Sequence, residues 1–172
     1  ELIEAKSKIE KNLEDYRFDE AAKNAYQFAW HSYCDWYLEL SKTILFSDNE
    51  EAKTEVRKVS SYVFKQILIL LHPFIPFVTE EIWLNNKFDK SGKDFLMHAN
   101  WPTGEINKDS STEQVENIIS IISEIRSFKN ELNVSPGSFI DMSINNINDD
   151  QKDFINNNEI ILKKLGRINN IL

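Results

Sequence analysis

The longest stretch of helical periodicity in the chain lies between Asp19 and Phe46. Its bulky apolar residues recur every three or four positions, which places them on one face of a helix. These residues are Tyr26, Trp30, Tyr33, Tyr37, Leu40 and Ile44. The pattern predicts one helix, about 42 Å long at 1.5 Å per residue, with a continuous buried seam.

Two prolines three residues apart interrupt the next apolar pattern. Proline donates no backbone hydrogen bond and disfavours helical geometry in the residue before it, so a helix should end near His72. Pro76 suits the first turn of a following helix, where an N–H has no partner to lose. The sequence predicts a rigid helix corner whose angle is locked by Phe74, Phe77 and Trp83.

The pattern changes again after Gly137. A helix marked by apolar residues from Val115 to Leu132 ends before the stop signal Ser-Pro-Gly at 135–137. A strand over 139–144, a helix over 149–165 broken near Asn157, and a second strand over 168–172 are then predicted.

These elements define a fold class. We expect a mainly α fold, in which residues 1–137 form an antiparallel helical bundle and residues 138–172 form a small C-terminal α/β appendage.

Composition excludes several classes of protein. The chain of 172 residues is 41% hydrophobic, which is enough for a core and argues against global disorder. The single cysteine, Cys34, rules out an internal disulfide and suits a reducing, cytoplasmic location. No apolar run is long enough for a membrane span. The chain starts at Glu1 inside a helical pattern without a Met, which favours a piece of a longer protein.

The formal net charge is −8, with 28 acidic and 20 basic residues. An acidic chain is a poor general coating for nucleic acid, which favours basic surfaces. A few directed contacts from local Lys and Arg side chains remain compatible with this charge.

No combination of residues predicts catalysis. The chain has no glycine-rich phosphate loop and no nucleophile elbow. His31 and Cys34 have a metal-like spacing, but no four-ligand zinc set accompanies them. We therefore expect no catalytic residue, no metal site and no cofactor in this chain.

Two polar sets stand beside the apolar patterns. Asp35, Glu39 and Lys42 project from one side of the long predicted helix, since residues three or four apart are neighbours. Arg126 and Lys129 form a second set on the helix that precedes residue 133. Either set is compatible with a solvated face or with a binding surface.

Three motifs occur together in order. They are Cys-Asp-Trp-Tyr-Leu-Glu at 34–39, His-Pro-x-x-Pro-Phe-x-Thr-Glu-Glu-x-Trp at 72–83, and Asn-Val-Ser-Pro-Gly at 133–137. With a Trp-Pro pair at 101–102, they make the chain resemble the C-terminal anticodon-binding domain of the valyl-tRNA synthetase family, from about Tyr16 to Leu172. Of these motifs, the one at 72–83 is also typical of the isoleucyl and leucyl enzymes, whereas the other two favour the valyl family.

The resemblance implies partners and an activity outside this chain. Family members join valine to tRNA-Val with ATP and Mg, as monomers, and edit mischarged threonine in a separate domain. Their nucleotide-binding motifs are absent here, so the catalytic and editing domains would be partners in the same polypeptide.

The resemblance also implies where RNA is read. RNA loops are recognised by stacking on unstacked bases and by hydrogen bonds to base edges. Contacts are expected near Leu38 and Glu39, with Asp35 beside them and Lys42 attracting phosphate. Arg126 and Lys129 are expected to contribute further contacts. The alternatives are the equivalent domain of an isoleucyl or leucyl enzyme, or a helical bundle that binds other proteins.

Overall fold

Helices account for most of a computed structural model that describes residues 1–88, 95–104 and 110–172. The chain divides into two units, Glu1–Asn107 and Lys108–Leu172. The elements of the first unit are α1 (Leu2–Glu14), α2 (Phe18–Gln27), a π-helical segment (Phe28–Tyr37), α3 (Leu38–Leu45), α4 (Glu50–Leu71), α5 (Pro76–Asn86) and a 3₁₀ turn (Leu96–His98).

Local signals in the sequence explain where these helices begin and end. The chain between α1 and α2 turns at Tyr16, whose φ is 57°. Asn49 caps α4, because its side-chain oxygen accepts from the Ala52 N–H at 3.0 Å.

The first unit holds two groups of buried apolar residues. One combines α1, α2, the π-helical segment and α4, and it contains Ala5, Ile9, Ala21, Ala25, Phe28, Tyr33, Ile67 and Leu70. The other joins α4 and α5 to the 3₁₀ turn, and it contains Leu68, Ile69, Trp83 and Leu96. Helix α4 therefore contributes to both groups.

The predicted continuous seam is wrong in part. Tyr33 is buried, but Trp30 is 52% exposed and Tyr26 and Ile44 are exposed as well. The π-helical segment explains the difference, because its hydrogen bonds reach five residues back, as from the Leu38 N–H to Tyr33 O. The inward-facing positions therefore step by five from Phe28 to Tyr33, which a strict α-helical period does not anticipate.

The predicted corner forms, and two of the three residues expected to lock it, Phe74 and Trp83, pack against the core there. Helix α4 ends at Leu71 and α5 begins at Pro76. Phe77 is 91% exposed and locks nothing. The buried Thr79 lies at the corner instead, with its Oγ1 2.8 Å from His72 Nδ1 and 3.0 Å from the Ile75 carbonyl that accepts its proton.

Glu80 ties the corner to the segment that follows. Its two carboxylate oxygens accept from the Leu96 N–H at 3.0 and 3.1 Å. Leu96 is itself buried against Trp83. The acidic residue at the start of α5 thus anchors the 3₁₀ turn.

The second unit combines helices with a two-stranded parallel sheet. Its elements are α6 (Ser110–Glu131), β1 (Ile140–Met142), α7 (Asp149–Asn157), α8 (Glu159–Gly166) and β2 (Ile168–Ile171). Ile140 pairs with Ile168 and Met142 with Ile171. The mainly helical fold with a small C-terminal sheet is therefore confirmed, including the helix break next to Asn157.

The predicted boundary between residues 137 and 138 differs from the division of the structure at 107/108. Helix α6 packs on α8, and a Cβ added to the buried Gly166 would lie 3.5 Å from Ile125 Cδ1 and 3.0 Å from Ile168 Cδ1. The Ser-Pro-Gly turn marks the end of a helix, which need not coincide with a change of unit.

Candidate nucleic-acid interface

The first predicted set lies on one continuous run of helix. Asp35 is in the π-helical segment, while Leu38, Glu39 and Lys42 are in α3. Lys42 Nζ forms an ion pair with Glu39 Oε1, one turn away. Their side chains keep 48% and 38% of their surface exposed, so the pair is accessible from solvent.

Asp35 is paired within its own segment. Its Oδ2 lies 3.1 Å from His31 Nδ1, and both side chains are exposed. Leu38 differs, because it is half-buried and packs against the core of the first unit. The set therefore presents two polar pairs with an apolar residue between them.

Two tyrosines next to this set belong to the core. The Tyr33 hydroxyl donates to Ser60 O at 3.0 Å, and Tyr33 stacks on Tyr37 with ring centres 5.5 Å apart. Burial, then the neighbouring Tyr37 and Cys34, raise the pKa of Tyr33, against a hydrogen bond with Ser60. Tyr33 therefore remains a neutral donor inside the protein.

One exposed pair of stacked aromatic side chains was not predicted from the sequence. Tyr26 and Trp30 lie with ring centres 6.1 Å apart and planes 7° from parallel, and each is about half exposed. Aromatic faces on a surface suit base stacking. The two residues are spaced as on one face of a helix, so the sequence pattern predicted them to be core residues.

The Cys34 side chain offers no activated nucleophile. Burial, followed by the neighbouring Asp35 carboxylate, raises the pKa of its thiol, so the thiol stays protonated at neutral pH. Within the described ranges, no group of three His, Cys, Asp or Glu side chains is arranged to hold a metal ion.

The second predicted set is divided by the structure. Arg126 is exposed and its Nη2 donates to Leu165 O at 3.3 Å. Lys129 is only 3% exposed, so its side chain lies inside the unit and not on the surface where the contact with RNA was expected. Its Nζ donates to the carbonyls of Ser138 and Gly166 at 2.9 Å and of Arg167 at 3.3 Å.

Sequence spacing could not reveal this role, because the three acceptors come from segments 9 to 38 residues away. Arg167 was also missed. It follows α8 with a φ of 52°, and its guanidinium lies 5.7 Å from the centre of the Phe139 ring. Lysines at 163 and 164 were the available signal, since they mark this end of α8 as basic.

The first unit is thus a helical domain with accessible polar pairs on the helical run from Asp35 to Lys42. Comparison with known families identifies the class to which it belongs. Residues 1–144 match the family described as the anticodon-binding domain of tRNA ligase. The chain therefore belongs to this family.

Curated relatives narrow the comparison to one kind of ligase. The chain is 77% identical over 171 residues to a valine–tRNA ligase of Pelagibacter ubique, which covers 99% of the chain and 20% of that protein. It is 37% identical to the valine–tRNA ligase of Rhizobium meliloti, over 95% of the chain and 17% of the relative. For Legionella pneumophila strain Lens the identity is 40%, over 96% of the chain and 18% of the relative.

The chain thus spans about a fifth of the length of these relatives. Searched across the described residues, the helices include none that is long and apolar enough to cross a membrane.

Proposed function

We propose that this chain is the anticodon-binding domain of a valine–tRNA ligase and that it binds the anticodon loop of tRNA-Val. The family match over residues 1–144 carries this proposal, and the 77% identity to a valine–tRNA ligase supports the choice of amino acid. ATP-dependent aminoacylation with Mg, and editing, belong to other domains of the polypeptide. The protein works in the cytoplasm as a monomer.

The proposed contacts lie on the Leu38–Lys42 face. Glu39 accepts from an exocyclic amine of a base, Leu38 packs on a base face, and Asp35 borders the same surface. Lys42 attracts phosphate, and Arg126 adds a cation in the second unit. An exposed ion pair is worth about 0–1 kcal/mol, so RNA can replace the Glu39–Lys42 contact at little cost.

Substitutions at this pair separate its two roles. Glu39→Ala should reduce discrimination between tRNA-Val and anticodon-mutant tRNA about five- to tenfold, as expected for one lost base contact of roughly 1 kcal/mol. Lys42→Ala should weaken binding of every tRNA and reduce the slope of log K against log salt by about 0.7. Binding is measured by fluorescence anisotropy with labelled tRNA across a salt series.

A matched control is available on the same helical run. Lys23 and Glu20 form an exposed pair with the same order and spacing, 3.9 Å apart. Glu20→Ala and Lys23→Ala should leave discrimination unchanged. The contact assignment fails if all four substitutions affect every anticodon equally.

The net charge of −8 favours one other function, a helical bundle that binds proteins. The same titrations distinguish the two, because a protein-binding bundle retains no tRNA at low salt. Preferential retention of tRNA-Ile or tRNA-Leu would instead move the chain to the isoleucyl or leucyl enzyme.

A further inference from the structure

The second unit contains a cavity of about 390 Å³ whose lining is rich in positive charge. Arg126, Lys129 and Arg167 surround it, with Asn130 and the Pro136–Gly137 turn completing its wall. Cavities that hold small ligands measure about 300–1,000 Å³, so this one has room for a single phosphate group with part of its nucleoside.

The charge at the base of the cavity is fixed in place. Lys129 is buried, and its three N–H donors meet three backbone carbonyls at 2.9 to 3.3 Å. In the parts of the chain that the structure describes, no carboxylate oxygen lies within 4 Å of its Nζ to neutralise it. Carbonyl dipoles satisfy the hydrogen bonds of an ammonium but leave its net charge.

The two arginines add to this charge. Arg126 precedes Lys129 by one turn of α6, and Arg167 lines the cavity from the turn between α8 and β2. Burial, then Arg167, then Arg126 lower the pKa of Lys129, as expected for three cations that act on one another. Several cations that line one cavity create a positive potential in it, which favours an anion.

The chemistry of the wall suits a phosphate. Guanidinium groups present a planar fork of donors that matches two phosphate oxygens. Phe139 holds Arg167 at 5.7 Å, and the Leu165 carbonyl holds Arg126 at 3.3 Å. At Gly137 an added Cβ would meet only Ser135 Oγ, at 3.9 Å, so the turn leaves its side of the cavity open.

We propose that this cavity binds one backbone phosphate of an RNA chain, with Arg126 and Arg167 as the contacting residues and Lys129 as a positioning residue. The inference rests on the proposed tRNA-binding function and adds a second contact region to it. Because phosphate contacts carry no base identity, the cavity strengthens binding without reading the anticodon.

Substitutions that remove one positive charge test the cavity directly. Arg167→Gln and Arg126→Gln in the 172-residue chain should each weaken tRNA binding about three- to tenfold and reduce the salt slope by about 0.7 to 0.9. The loss should be equal for tRNA-Val and for anticodon-mutant tRNA. Lys152→Gln, an exposed change of the same charge on α7, should leave binding unchanged.

The unsubstituted chain gives a second measurement that does not depend on how a variant folds. On addition of tRNA, the Nε–Hε resonances of Arg126 and Arg167 should shift, while that of Arg57 on α4 should not. Inorganic phosphate alone should shift the same two signals only at millimolar concentration, since a free ion lacks the rest of the RNA contacts.

The outcomes separate this inference from the function on which it rests. If tRNA binds and Glu39→Ala reduces discrimination, but neither arginine signal nor affinity changes, the cavity is not an RNA site. Micromolar binding of inorganic phosphate that tRNA does not displace would overturn the RNA assignment in favour of a free phosphate compound. Absence of any tRNA binding by the unsubstituted chain would overturn the proposed function, and the cavity proposal with it.

Discussion

The two units differ in the kind of polar group that they bury. Among side chains that the structure describes, the buried polar residues of the first unit are neutral ones, namely Ser41, Gln66 and Thr79, whereas the second unit buries the charged Lys129. The charges of the first unit's candidate face stay at the surface, in pairs within one helical turn. Surface pairs can exchange partners, while a buried ammonium is a permanent part of the fold.

Because of this difference, Lys42 and Lys129 would act on a ligand in different ways. Lys42 can leave Glu39 for a phosphate, because water already screens both groups. Lys129 cannot leave its carbonyls without unsatisfied acceptors in the interior. In the proposed phosphate site its contribution is therefore the potential that it creates, and the two arginines beside it are the proposed contacts.

The largest expected effect compares these two lysines directly. Lys129→Met should lower the free energy of unfolding by about 3 kcal/mol, because three carbonyls lose their donor. Lys42→Met should change it by less than about 0.5 kcal/mol, as is usual for exposed positions. Urea denaturation followed by circular dichroism measures both. Similar losses in the two variants would erase the distinction between the units.

A smaller effect is expected for the buried, uncharged hydrogen bond that Tyr33 forms in the first unit. Tyr33→Phe should lower the free energy of unfolding by about 1 kcal/mol, because the hydroxyl no longer donates to the Ser60 carbonyl. Affinity for tRNA should not change, since the ring is buried. Tyr62→Phe, on the exposed side of α4, is the control for both measurements. A selective loss of tRNA binding in the Tyr33 variant would place that ring in the interface.

The smallest effect is a pH dependence in the second unit. The pKa of Lys129 is lowered from 10.5, so between its folded pKa and 10.5 the unfolded chain binds more protons. Stability relative to Lys129→Met should therefore rise with pH in that window and stay constant below it. Thermal denaturation of both proteins from neutral pH to about pH 10.5 measures the difference. A difference that falls with pH would mean that the carbonyl bonds outweigh desolvation.

Sequence alone predicted most of the elements because their signals are local. Pro76 at the first turn of a helix, the Ser-Pro-Gly stop at 135–137, and the Asn-rich break at residue 158 each act within a few residues. The two short strands also followed from short apolar runs, whereas their parallel pairing is seen only in the structure. Such signals need no knowledge of which surfaces meet.

The errors concern residues whose neighbours lie far away in the chain. Spacing on α6 marked Lys129 as polar and therefore exposed, but its acceptors at 138, 166 and 167 bury it. Phe77 looked suited to lock the corner, yet α5 turns it to solvent and Thr79 inward. A period of 3.6 residues also requires α-helical turns through Trp30, where the chain forms π-helical ones.

The π-helical segment keeps the two ends of a long helix in phase. Twenty positions separate Ala21 from Ser41, and at about 100° per residue an unbroken α-helix would place them about 160° apart. Both face the interior, because the wider turns of Phe28–Tyr37 absorb the excess. Replacing these wider turns with α-helical ones would therefore rotate the Leu38–Lys42 face about the helix axis relative to α2.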